Sequence, residues 1–149
     1  MNAKTSKLPG GNASSVPAQP DRHLPIRVLL AEDQPDLLQS AQYLIGRLSD
    51  LQLAGIALSG PEAIRQVEIL APDLVLMDAT LPEKNGFDAT QEIKSRPHPP
   101  RIIVLTLFNG PGYEYTAQAA GADGLIPKTE LSARLPQKLR ALFPAAHAA

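Results

Sequence analysis

Short apolar runs that alternate with helically spaced apolar residues, each run stopping at a polar group, constrain this chain more than any other feature. Ile26-Arg-Val-Leu-Leu-Ala31 has the length and composition of a buried strand and ends at the charged pair Glu32-Asp33. From Pro35 to Ser49, Leu37, Leu38, Ala41, Leu44, Ile45 and Leu48 recur at helical spacing, with Pro35 suited to a first turn. Leu51 to Ser59 reads as a second strand, and Pro61 to Ala71 as a helix with Ala63, Ile64, Val67 and Leu70 facing inward. Pro72-Asp73 ends that helix, and Leu74-Val-Leu-Met77 is a third strand running into Asp78. A loop through Pro82 and Asn85-Gly86 leads to a helix over Phe87–Lys94, and the proline-rich Arg96–Pro100 is a connector. Ile102-Ile-Val-Leu105 is a fourth strand ending at Thr106. A helix near Tyr113–Ala120, a short strand at Leu125-Ile126 and a last helix toward Phe143 follow. Pro136 requires that the last helix either start late or be kinked.

Strands in alternation with helices predict βαβ units with right-handed crossovers, hence an α/β fold with a parallel sheet and helices on both faces. The 149 residues suffice for one domain. Residues 1–25, rich in Pro, Gly, Ser and Asn, are read as a disordered arm, 26–143 as the domain, and 144–149 as a frayed tail. Only three Tyr, three Phe and no Trp are present, so the core is aliphatic. A net charge of −1 argues against direct nucleic-acid binding. Zero cysteines exclude thiol catalysis, disulfides and Cys-ligated zinc, and suit the cytoplasm. No apolar run approaches the roughly 20 residues of a membrane span, and no secretory signal is expected.

In an open parallel sheet, ligands bind beyond the carboxyl ends of the strands. The residues at those ends are Glu32 and Asp33, Asp78, Thr106 and, past the fifth strand, Lys128. Three carboxylates brought together repel one another unless a cation lies among them. Hard oxygen donors without His or Cys favour Mg2+ or Mn2+ over zinc. Magnesium held by one or two carboxylates leaves another free to attack phosphorus, forming an aspartyl-phosphate, with metal, lysine and hydroxyl stabilising the transferred group. Taken singly, Glu32-Asp33 also reads as a solvated helix opening, Thr106 as a strand-end hydroxyl and Lys128 as a surface lysine. Asp78 is harder to set aside, because a charge closing an apolar strand needs partners.

The segments Leu29-Leu-Ala-Glu-Asp33, Leu74-Val-Leu-Met-Asp78 with Pro82 and Gly86, Ile103-Val-Leu-Thr106 and Gly121-Ala-Asp-Gly-Leu-Ile-Pro-Lys128 resemble the receiver domains of two-component response regulators. The match runs from Ile26 to Leu142. The resemblance implies a flavodoxin-like, five-stranded sheet of order 2-1-3-4-5 in a signalling switch. It implies Asp78 as phosphoacceptor, Asp33 as a direct metal ligand, Glu32 acting through water, and the Thr80 main-chain carbonyl as a further ligand of Mg2+ (or Mn2+). Thr106 would bond the phosphoryl group and Lys128 would pair with it. The implied donor is a histidine kinase or histidine phosphotransfer protein, and the implied enzymatic activity is only self-catalysed hydrolysis of the aspartyl-phosphate.

This chain departs from the family pattern at several positions. Leu125 replaces the switching aromatic of many receivers, Leu107 replaces a small residue beside Thr106, and Thr129 replaces a proline after Lys128, so no cis bond is expected there. Phe108 and Thr80 flank the site as modulators of hydrolysis. Output is expected through partner binding or dimerisation, by the helix around Tyr113 and Tyr115 or by Leu38 and Leu48 of the first helix, residues that equally suit core or ordinary surface. Alternative readings are a receiver-fold module that signals without phosphorylation and the receiver fragment of a longer transcription regulator. A phosphatase of the aspartyl-phosphate type would need a second Asp where Thr80 stands. His23, His98 and His147, in the tails and the connector, make no kinase-type histidine site.

Overall fold

The computed structural model describes residues 24–147. Five parallel strands form one sheet in the order β2-β1-β3-β4-β5: β1 Ile26–Ala31, β2 Leu51–Ala57, β3 Leu74–Asp78, β4 Arg101–Thr106 and β5 Gly124–Pro127. The helices between and after them are α1 Pro35–Arg47, α2 Gly60–Leu70, α3 Gly86–Lys94, α4 Pro111–Ala119 and α5 Leu131–Leu142, the last preceded by a 3-10 turn at Lys128–Glu130. The α/β fold and strand order are those expected. Residues 1–23 of the expected arm and 148–149 of the expected tail lie outside the described residues, and Pro144–His147 forms a 3-10 turn. Among the described residues, no helix is long and apolar enough to cross a membrane.

Period-two alternation along the strands divides the core between two faces. Val28, Leu30, Leu74, Leu76, Ile103, Leu105 and Ile126 pack with Ala41 and Ile45 of α1 and with Leu131, Leu135 and Leu139 of α5. Leu29, Ala31, Val75, Met77, Ile102 and Val104 face Ala63 and Ile64 of α2 and Ala89 and Ile93 of α3. Leu38 of α1 and Leu48, just past its end, pack partly buried against the first of these layers.

Local chemistry sets the helix starts. The Ser59 hydroxyl accepts from the Glu62 amide at 3.1 Å with Pro61 in the first turn, and the Asn85 side chain accepts from the Asp88 amide at 2.9 Å. Helix α5 begins at Leu131, so Pro136 lies inside it and a late start is excluded. The missing donor falls in mid-helix, where buried Leu131, Leu135 and Leu139 on both sides of Pro136 hold the segment in place.

At the amino ends of the strands, Asp123 fastens three segments. Its carboxylate accepts from Lys94 Nζ at 2.8 Å, the Ile102 amide at 2.8 Å and Arg101 at 3.2 Å. Burial alone would raise its pKa, but the Lys94 bond, the Ile102 amide and the charges of Lys94 and Arg101 outweigh it and hold the carboxyl below its ordinary value. A depressed carboxylate stabilises the fold above its unfolded pKa and loses that stabilisation as pH falls through the folded value. Asp123→Ala is therefore expected to destabilise the domain by about 2–4 kcal/mol at neutral pH, since the largely buried Lys94 ammonium loses its anionic partner and keeps only the Pro100 carbonyl, while the Ile102 amide loses the carboxylate. Urea denaturation should show the deficit shrinking below about pH 4.

Candidate functional site

The carboxyl edge of the sheet carries the site. β1 delivers Glu32 and Asp33, β3 ends on Asp78, β4 ends on Thr106, and the chain leaving β5 delivers Lys128. In-register pairing of Asp78 with Leu105 and of Thr106 with Pro127 brings these ends level. The loop after β3 folds back beneath Asp78, with the Gly86 amide donating to the Ala79 carbonyl at 2.8 Å. A side chain at Gly86 would collide with the Asp78 carbonyl, and one at Gly60 with the Lys84 backbone, so both glycines are needed for this loop to seat against the strand and α2.

Lys128 is the centre of the cluster. Its Nζ lies 2.9 Å from Glu32 Oε1 and 2.9 Å from Asp78 Oδ1, and the three side chains are each at most 5% exposed. Glu32 Oε2 accepts from the Gln34 amide at 3.0 Å. Asp78 Oδ1 also accepts from the Thr80 amide at 3.1 Å and the Thr80 hydroxyl at 3.2 Å. Asp78 Oδ2, by contrast, is buried with no hydrogen-bond partner. One aspartate oxygen thus has three donors and the other has none.

Burial pushes the Glu32 carboxyl above its ordinary pKa; the Gln34 amide and Lys128 oppose this, and the Asp78 charge adds to it. Burial also works against a charged Lys128, but its bonds to Asp78 and Glu32 prevail and raise its pKa, keeping the ammonium charged. An oxygen from each of Glu32, Asp33 and Asp78 lies within 4.8 Å of the others. An all-carboxylate donor set of this spacing fits a hard divalent cation, Mg2+ or Mn2+.

The remaining residues singled out from the sequence stand at the rim. Thr106 is buried at the same edge, but its hydroxyl donates to the Phe108 carbonyl at 2.8 Å and makes no bond to the acidic cluster. Leu107 and Phe108 are 53% and 64% exposed, and Leu125 is half-buried on β5. Sequence reasoning missed the Lys128–Glu32 bond, the doubled contact from Thr80 and the role of Gly60. Ser59-Gly60-Pro61 carries a helix-start signal, but nothing local shows that Lys84 will pack on it.

The family model for the response regulator receiver domain matches residues 28–140. Among related sequences, an uncharacterized transcriptional regulatory protein of Bacillus subtilis, YvfU, is 36% identical over 69% of this chain and 52% of its own length. The transcriptional regulatory protein DesR of the same organism is 33% identical over 79% of this chain and 58% of its length. This chain thus spans about half the length of the curated relatives it matches. Among solved structures, a LuxR-family two-component response regulator from Aurantimonas superposes with a TM-score of 0.74 at 31% identity, covering 79% of this chain and 84% of that one. The response regulator domain of Thermotoga maritima CheB gives 0.72 at 25% identity, covering 84% and 98%.

Removing the ammonium tests the electrostatics. Lys128→Ala leaves Glu32 and Asp78 as buried neighbours without their cation, and a loss of about 3–5 kcal/mol is expected at neutral pH. A carboxyl whose folded pKa is raised contributes most below its unfolded value, and that contribution is lost as pH rises through the folded one. Chemical denaturation of the variant should accordingly show its deficit smallest near pH 4 and growing toward neutrality. A deficit independent of pH would contradict the coupling.

Proposed function

The chain belongs to the response-regulator receiver domain family, and from that premise we propose that it is a phosphorylation-dependent switch in which Asp78 accepts a phosphoryl group from a phosphohistidine. The donor is a histidine kinase or a histidine phosphotransfer protein, which assigns the reaction to the cytoplasm. The observation that carries this reading is the asymmetry of Asp78: Oδ1 is held by Lys128 and Thr80, while Oδ2 is unpartnered.

In the proposed transfer, Asp78 Oδ2 attacks phosphorus, the new O–P bond forms, and the P–N bond breaks with its electron pair leaving on the imidazole nitrogen. The contacts to Oδ1 fix the rotamer of the carboxylate, so no reorientation is needed before attack. Lys128, already charged beside Asp78, is placed to pair with a phosphoryl oxygen, and Thr106 would turn its hydroxyl from the Phe108 carbonyl to a second one. Glu32, Asp33, Asp78 and the Thr80 main-chain carbonyl would hold Mg2+ (or Mn2+), which when bound neutralises charge on the transferred group. Water attack on phosphorus then breaks the O–P bond to Asp78, releasing inorganic phosphate and regenerating the carboxylate, with Thr80 and Phe108 at the rim governing access.

The phosphorylated domain acts by binding a protein partner or by dimerising. The lengths of the relatives favour a second reading of the output, in which this chain corresponds to the receiver part of a transcription regulator. Both readings place the same chemistry on Asp78.

Incubation with acetyl phosphate and Mg2+, followed by intact mass, tests the assignment. A single phosphoryl adduct is expected on the wild type and none on Asp78→Asn; chelating the metal should abolish labelling. Lys128→Ala, assayed where it is folded, should retain some labelling. Full labelling of Asp78→Asn, or labelling unaffected by chelator, would overturn the site.

A further inference from the structure

Asparagine is followed by glycine twice in this sequence, at Asn85-Gly86 and at Asn109-Gly110. That pairing has a chemistry of its own. The backbone nitrogen of the second residue can attack the side-chain carbonyl carbon of the first, and glycine, with no Cβ, hinders the approach least. The reaction needs a free amide nitrogen and a free carboxamide, so packing decides which of the two pairs reacts.

At Asn85 both groups are held. The side-chain oxygen accepts from the Asp88 amide at 2.9 Å, and the side-chain nitrogen donates to Asp88 Oδ2 at 3.1 Å. The Gly86 amide donates to the Ala79 carbonyl at 2.8 Å, and Gly86 itself is buried against the Asp78 backbone. Asn109 stands in the opposite setting. It is exposed in the β4–α4 loop, residues 107–110, and among the described residues neither its side chain nor the Gly110 amide makes a hydrogen bond. Gly110 takes a φ of +148°, a conformation reserved for glycine, so the loop itself calls for the reactive neighbour. Gly110 is also the N-cap of α4, which therefore has no side-chain cap.

We propose that Asn109 is a site of self-deamidation that places a fixed negative charge at the start of α4. The Gly110 nitrogen gives up its proton and bonds to Cγ of Asn109. The Cγ–Nδ2 bond breaks, and the amide nitrogen takes up a proton and leaves as ammonia. Water then opens the cyclic imide at either carbonyl, giving aspartate or its β-linked isomer at position 109. One carboxamide becomes one carboxylate, with water as the only co-reactant. The charge falls one residue before the N-cap of α4, where the helix dipole favours an anion and no side chain supplies a cap. Deamidation thus fastens the first turn of α4, and it does so independently of any phosphoryl group on Asp78.

The test is to age the whole chain in buffer and follow both asparagines by peptide mapping with mass spectrometry. Three neutral hydrogen bonds must open before Asn85 can react, so Asn109 is expected to deamidate about 10- to 1,000-fold faster. Raising the pH should speed the reaction at 109, because the attacking nitrogen must lose its proton. In urea the two rates should converge. Equal rates in the folded chain, or a difference that survives unfolding, would overturn the assignment. The consequence for α4 is read by hydrogen exchange on Asn109→Asp, with Asn109→Gln as the uncharged control. The amides of Tyr113 and Glu114, which donate to the Gly110 carbonyl at 3.2 and 3.3 Å, should exchange about 2- to 5-fold more slowly in Asn109→Asp than in freshly prepared wild type. Asn109→Gln should match fresh wild type. Identical exchange in the Asp and Gln variants would overturn the effect on the helix.

Discussion

The ammonium of Lys128, placed between Glu32 and Asp78, is the interaction on which the rest of the site depends. Without it two buried carboxylates would share a pocket with Asp33 close by and repel one another with no cation between them. With it, an ammonium 2.9 Å from each carboxylate offsets their mutual repulsion. The lysine comes from the end of β5 and the carboxylates from β1 and β3, so the bond also spans the sheet from its edge to its centre. A single charge therefore closes the site and joins strands that do not pair directly.

That arrangement is available only because the strands are parallel and end level. Every crossover returns the chain to the opposite edge, so each new strand delivers its last residue to the same rim. The two helical layers are divided by the alternation of the strands: even-numbered Val28, Leu30, Leu74 and Leu76 face α1 and α5, while odd-numbered Leu29, Val75 and Met77 face α2 and α3. Asp78 continues the even series at the point where the sheet ends. There it meets Lys128, whose ammonium lies 2.9 Å from its Oδ1.

Much of this was legible in the order of residues, because the signals are local. A charged residue closing an apolar run marks a strand end, and Pro35 and Pro61 mark helix starts through their own backbone chemistry. The convergence of Glu32, Asp33, Asp78 and Lys128 follows from those strand ends plus the topology. What stayed hidden depends on distance in the fold. The sequence places Lys128 near a phosphoryl site, but only the packed chain shows it bonded to Glu32. The sequence shows Gly60 before a proline, but not the Lys84 backbone that excludes a side chain there. Pro136 was ambiguous because a proline argues equally for a start or an interruption, and the choice was made by Leu131, Leu135 and Leu139, whose burial extends the helix on both sides of it.

The same difference in scale separates the site from its rim. Buried ion pairs join Lys128 to Glu32 and Asp78, and breaking such a pair costs about 3–5 kcal/mol. The Thr106–Phe108 bond is a neutral one worth about 1 kcal/mol net. One residue further on, Asn109 has no hydrogen bond among the described residues, whereas the same dipeptide at Asn85-Gly86 is held by three. Two identical pairs of residues are thus set apart by packing alone: one is built into a helix start beneath the site, and the other is exposed in a loop. Local sequence determines what a pair of residues can do chemically, and the bonds around it determine whether the reaction has an open path. The strongly held interior keeps its own chemistry intact, and the weakly held rim is where the chain can be altered without disturbing the buried charges.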